Sequence, residues 1–158
     1  MPRLTILDTF PSSSTAKEQP RPHATFTMLD HCHEWIRECL RSGNSVIAPA
    51  ICYDEALREL ERLNATSQIA RLRAFCHAAP GRYFAITDAD LERAATLWAH
   101  PRNTGTPTAS ADALDADVIL AAQALGLGLS TTDFIIATTN PGHLEQFVPY
   151  DLWTNISP

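Results

Sequence analysis

Four short apolar runs, Leu4-Thr5-Ile6-Leu7, Val46-Ile47-Ala48, Tyr83-Phe84-Ala85-Ile86 and Phe134-Ile135-Ile136-Ala137-Thr138, are separated by stretches that carry helical periodicity. This alternation constrains the fold more than any other feature of the chain. Strands joined by helix-length connections pair in parallel, and a parallel sheet needs helices over both of its faces. The expected fold is therefore α/β: a three-layer α/β/α sandwich around a mainly parallel, twisted sheet with right-handed crossovers.

The connections differ in kind. From Phe10 to about Ala24 the chain is rich in Ser, Pro and Thr and reads as an irregular loop. Cys32, Trp35, Ile36, Cys39 and Leu40 fall on one helical face, with Asp30 as the expected cap and Gly43-Asn44 as the stop. Helices are expected from about Tyr53 to Leu63 and around Ile69, Leu72, Phe75 and Cys76, before a break at Pro80-Gly81. Thr87-Asp88-Ala89-Asp90 opens another helix through Leu91, Ala94, Ala95 and Trp98, and residues 100–110 read as a mobile loop. An Ala-rich helix opening on Asp115 and Asp117 ends at Gly126 and Gly128. A short strand near Val148 and a tail packed through Trp153 complete the expected order.

At 158 residues the chain reads as a single domain, residues 1–158, large enough to bury a core without disulfide or metal staples. No apolar run approaches the about 18 residues that a membrane span needs, so no membrane association is expected. The apolar segment at the start is too short for a signal-peptide core, which makes the cytoplasm the expected location. Cys32, Cys39, Cys52 and Cys76 include no CxxC pair and read as reduced, buried thiols. A net charge of −6 argues against nucleic-acid binding by bulk attraction, but not against a nuclease. Eleven of the twelve basic residues are Arg, the residue that makes forked contacts to phosphate or carboxylate.

Asp8, Glu55, Asp117 and Asn140 each fall just after a strand or on the first turns of the following helix. In a parallel sheet such positions converge at one edge, where α/β proteins place their chemistry. Three carboxylates brought together repel one another unless a cation neutralises them, and the natural cation for an all-oxygen set is Mg²⁺ or Mn²⁺.

Taken in order, the segments around these residues resemble the PIN-domain ribonucleases, the group that includes the VapC-type toxins of toxin–antitoxin pairs. The likeness spans nearly the whole chain. It rests on Ile6-Leu7-Asp8-Thr9, on Tyr53-Asp54-Glu55-Ala56-Leu57-Arg58-Glu59-Leu60, on Asp117-Val118-Ile119-Leu120-Ala121-Ala122, and on Thr138-Thr139-Asn140-Pro141-Gly142-His143-Leu144. The resemblance implies a PIN-like fold and Mg²⁺-dependent (or Mn²⁺-dependent) hydrolysis of RNA phosphodiester bonds. It implies Asp8, Glu55 and Asp117 as metal ligands and Asn140 at the fourth polar position of the catalytic set, with Thr138 as the other group able to position a ligand or water. It further implies a homodimer and, for a toxin, a small antitoxin protein that inserts into the active-site groove. The chain departs from the family where many relatives carry Asn or Ser after Asp-Thr: here Phe10-Pro11 follows, leaving Ser12, Ser13 and Ser14 as the polar groups nearby.

Several residues admit two readings. Glu59 shares a helix face with Glu55 and either stands behind the ligands or pairs with Arg58 or Arg62. Asp112 and Asp115 read as carboxylates favouring the positive end of a helix. His143 either touches RNA or caps a short helix after Pro141, and Arg58 is the basic residue placed nearest Glu55 for RNA or an acidic partner. Trp35 and Trp98 read as core or subunit-contact residues, and Asp30-His31-Cys32-His33 as a helix start, since neighbours on one helix cannot converge on zinc. The rival to a nuclease is a PIN-like module that is catalytically weak or inactive and binds metal, RNA or protein, motivated by Phe10-Pro11. A phosphatase on a similar sheet would want Asp-x-Asp after the first strand, where Asp8-Thr9-Phe10 lacks the second Asp.

Overall fold

The computed structural model describes residues 4–105 and 115–158. Strands β1 (Leu4–Leu7), β2 (Val46–Pro49), β3 (Tyr83–Phe84), β4 (Phe134–Thr138) and β5 (Tyr150–Leu152) form one sheet in the order β3-β2-β1-β4-β5. Every neighbouring pair is parallel, with Leu7 of β1 opposite Ala137 of β4. The helices are α1 (Thr9–Ser14), α2 (Met28–Arg41), α3 (Ala50–Arg62), α4 (Thr66–His77), α5 (Asp88–Asn103) and α6 (Asp115–Gly126), with short 3-10 turns at Pro141–His143 and Trp153–Asn155. Among the described residues no helix is long and apolar enough to cross a membrane.

Strand alternation divides the core. Ile6, Ile47, Phe134 and Ile136 point to one face and pack with Ile51 and Cys52 of α3 and Leu120, Ala121 and Ala124 of α6. Leu7, Val46 and Ala137 point to the other and meet Cys32, Trp35, Ile36 and Cys39 of α2 together with Trp153. Both faces being covered, β4 is buried at all five positions, which is why it reads as an unbroken apolar run. All four cysteines are free and buried.

Several boundaries differ from expectation. The Ser/Pro-rich segment expected to be a loop begins with α1. Pro11 lies in the first turn, where no intrahelical N–H is required, and the hydroxyls of Ser12, Ser13 and Ser14 donate to the carbonyls of Leu7, Thr9 and Pro11. Helix α3 starts at Ala50 rather than near Tyr53. The buried Gln123 side chain accepts from the Ile51 N–H at 3.3 Å and donates to the Phe84 carbonyl at 3.2 Å, so a residue of α6 caps the opening turn of α3. Helix α5 runs through Pro101 to Asn103, into the stretch expected to be a mobile loop, and there the Arg102 guanidinium donates to the Trp98 carbonyl at 2.9 Å. The rest of that stretch from residue 106, and Asp112, lie outside the described residues. The strand expected near Val148 is β5, two residues later, and the third strand is limited to two residues.

The cap of α2 is Thr27, not Asp30. Asp30 is its reciprocal partner, accepting from the Thr27 N–H at 2.7 Å while its own N–H donates to the Thr27 hydroxyl at 3.3 Å. Thr27→Ala is expected to lower the unfolding free energy by about 1 kcal/mol at pH 7, read as a lower urea midpoint. Hydrogen bonds from Thr27, then the Lys17 charge, hold the Asp30 carboxyl below the ordinary range. A carboxyl depressed by folding stabilises above its unfolded pKa, and this is lost as pH falls through the folded value. The gap between wild type and Thr27→Ala should therefore narrow below about pH 4.

Candidate active site

The carboxyl ends of β1 and β4 lie side by side, and the site grows from that edge. Asp8 follows β1 and caps α1, its Oδ1 accepting from the Thr9 N–H at 2.7 Å. Its other oxygen accepts from the hydroxyl of Thr138, the last residue of β4, at 2.5 Å, and Thr138 is completely buried. Cys52 Sγ of α3 stands 3.8 Å from Asp8 Oδ1. Burial, then the negative charge of Asp8, pushes the Cys52 thiol well above its usual range, so it stays protonated and acts as a donor.

Glu55 lies one helical turn beyond Cys52 on α3, and its Oε2 accepts from the Thr9 hydroxyl at 2.5 Å. Asp117 sits in the first turn of α6, with Oδ2 2.8 Å from Nδ1 of His143 in the turn after β4. Burial, reinforced by repulsion from Asp8 and Glu55, raises the Asp117 carboxyl above the ordinary range against the opposing bond from His143. Asp8, Glu55 and Asp117 therefore share one electrostatic environment. Asn140 joins through its backbone, its N–H donating to the Thr138 hydroxyl at 3.0 Å, while the residue itself is exposed.

The remaining sequence-derived candidates lie elsewhere. Glu59 pairs with Arg62 at 2.5 Å and Arg58 with Asp54 at 2.5 Å, both on the exposed side of α3. Asp115 is exposed at the start of α6. Ser12, Ser13 and Ser14 are spent on backbone carbonyls and none reaches the carboxylates. His143 is the last residue of its turn, and one ring nitrogen is taken by Asp117 while the side chain stays 37% exposed. Sequence reasoning passed over Thr9 and Cys52. Thr9 was signalled by its place beside Asp8, and Cys52 by its spacing of three from Glu55, which puts both on one face of a helix.

Among the described residues no three His, Cys, Asp or Glu side chains form a ready-made cage for a metal ion. Mg²⁺ does not require one, since it keeps several waters and is commonly held by one or two carboxylates plus substrate phosphate. The donor set suits it: three carboxylates and two hydroxyls, and among the described residues no Lys or Arg ion-paired to any of the three.

No family model matches the chain, and no curated protein matches its sequence. Solved structures do. A chain of DNA-bound VapBC from Salmonella typhimurium is 19% identical and superposes with a TM-score of 0.64 over 97% of this chain and 99% of that one. A chain of FitAcB from Neisseria gonorrhoeae is 19% identical with a TM-score of 0.64, over 96% of this chain and 99% of that one. A chain of VapBC-1 from nontypeable Haemophilus influenzae is 14% identical with a TM-score of 0.56, over 96% and 99%. At these identities the likeness establishes the fold: an α/β, PIN-like architecture with an all-parallel sheet.

Proposed function

We propose that the chain is a metal-dependent endoribonuclease of the PIN type, hydrolysing RNA phosphodiester bonds with Mg²⁺ or Mn²⁺, and that it is the toxin component of a toxin–antitoxin pair. The observation that carries this reading is the gathering of Asp8, Glu55 and Asp117 at the carboxyl edge of β1 and β4, with Asp117 raised by burial and by its two acidic neighbours. Such a concentration of carboxylates, none of them ion-paired to Lys or Arg among the described residues, suits a divalent cation, and Asp8, Glu55 and Asp117 are the residues that would hold it. Once bound, the cation lowers the pKa of a water and offsets charge on the phosphate.

The chain's own groups prepare the site for this. The Thr9 N–H, the Thr138 hydroxyl and the Cys52 thiol aim the Asp8 carboxylate. The Thr9 hydroxyl aims Glu55. Asn140 is exposed and would meet a phosphate or a water. Phe10 and Pro11 lie within α1, with Phe10 packed against the core and Pro11 buried, and the hydroxyl beside the carboxylates comes from Thr9 instead. The departure at Phe10-Pro11 therefore does not strip the site of polar contacts. The toxin assignment is supported by the fold shared with the VapBC and FitAcB chains. A homodimer and a small antitoxin seated in the active-site groove belong to the same reading. Co-purification with the product of an adjacent small open reading frame would support the antitoxin, and light scattering of the purified chain reads the dimer.

The deciding experiment is cleavage of a mixed panel of structured and unstructured RNAs in Mg²⁺, Mn²⁺ or EDTA. Cutting in the presence of either ion, absent in EDTA and restored by adding the ion back, is the expected result. A folded, metal-binding protein that cuts no RNA would overturn it in favour of a binding module.

A further inference from the structure

His143 is the one basic ring in contact with the acidic edge among the described residues, and its placement invites a role beyond packing. It comes from the turn after β4, while its partner Asp117 comes from the first turn of α6, 26 residues away. Leu144, the next residue, is 1% exposed and packs with Leu120, Phe134 and Val148, so the turn is anchored to the core without the histidine. The His143 side chain is 37% exposed and that of Asp117 21%, and the bond between them engages one ring nitrogen and one carboxylate oxygen. Asp117 Oδ1 has no protein partner among the described residues. A carboxylate pushed away by two acidic neighbours is thus tethered to His143 through one oxygen, Oδ2.

Resting on the reading of the carboxylates as a metal site, we propose that His143 is a positioning residue: its Nδ1–H holds Asp117 Oδ2 and so orients the carboxylate that would hold the divalent ion. Carboxylate ligands of metals are commonly oriented by such hydrogen bonds, and removing the partner typically weakens metal binding about 10–100-fold. Only Nδ1 is required, so a side chain with a donor at that position should serve.

Asparagine provides it, its amide nitrogen lying as many bonds from the backbone as Nδ1 does. Mg²⁺ and Mn²⁺ affinities should be measured by calorimetry on wild type, His143→Ala and His143→Asn, with melting temperatures in EDTA as the control for folding. The expected result is an affinity about 10–100-fold weaker for His143→Ala, recovery of most of that loss in His143→Asn, and similar melting temperatures in EDTA for all three. Wild-type affinity in His143→Ala overturns the proposal while leaving the metal reading intact, as does a loss that His143→Asn does not recover. A wild-type protein that binds neither ion overturns the metal reading and this role with it.

Discussion

Asp117→Asn is expected to abolish metal-dependent RNA cleavage, with a loss of at least about 10²–10³-fold, the scale set by removing one principal electrostatic group from an active site. The substitution is nearly isosteric, and the amide oxygen still accepts from His143 Nδ1, so the local contact that ties α6 to the turn after β4 survives. What disappears is a negative charge and, on the proposed reading, a metal ligand. The fold should not suffer. Burial and the charges of Asp8 and Glu55 raise the Asp117 carboxyl above its ordinary range. A carboxyl raised by folding opposes the folded state once ionised, so stability falls as pH rises from about 4 through the folded pKa. At pH 7 in EDTA the Asn variant, which carries no charge to bury, should melt no lower than wild type. Adding Mg²⁺ should raise the melting temperature of wild type through mass action and that of the variant far less. The checks are cleavage time courses and melting curves in Mg²⁺ and EDTA on both proteins. Wild-type cleavage by the variant would remove Asp117 from the site. Asp8→Asn should behave in parallel, since Asn caps a helix about as well as Asp and α1 keeps its start.

The second large effect lies in the core. Phe134 is completely buried at the head of β4, whose pairing with β1 and β5 carries the acidic edge, and it packs with Ile6, Leu120, Ala121 and Ala124. Phe134→Ala removes a ring that the surrounding sheet and helix cannot collapse to fill. The expected cost is about 3–5 kcal/mol, a large share of the about 5–15 kcal/mol typical of a folded domain. It should appear in urea unfolding as a much lower midpoint with an unchanged slope, and in Mg²⁺ as partial rescue by ligand binding. A loss under about 1 kcal/mol would mean that β4 is not packed as described.

The parts of the fold that could be read from residue order are those in which local pattern and tertiary burial agree. The continuous apolar run of β4 signalled a strand covered on both faces, and the 3.6-residue spacing of Cys32, Trp35, Ile36 and Cys39 signalled the face that α2 turns to the sheet. The order Asp8, Glu55, Asp117 relative to the strands was enough to bring three carboxylates to one edge, because a parallel sheet has a single carboxyl side. Where local propensity was outvoted, it failed. Thr9-Phe10-Pro11-Ser12-Ser13-Ser14 has the composition of a loop and is a helix because its hydroxyls and its neighbours α2 and α3 satisfy and bury it. Asp30 resembles a cap and is the third helical residue, closing a capping box whose Thr27 sits in an unremarkable polar stretch.

What the chain's residue order determined, then, is the architecture and the identity of the acidic groups: strand and helix periods are local properties, and the position of a carboxylate at a strand end follows from them. What only the tertiary structure decided is which donor each carboxylate meets. Asp8 takes the hydroxyl of Thr138, 130 residues away, Glu55 that of Thr9, 46 residues away, and Asp117 the ring of His143, 26 residues away. Hydrogen bonds are satisfied within about 3 Å and carry no trace in sequence spacing once the chain has crossed the sheet and returned.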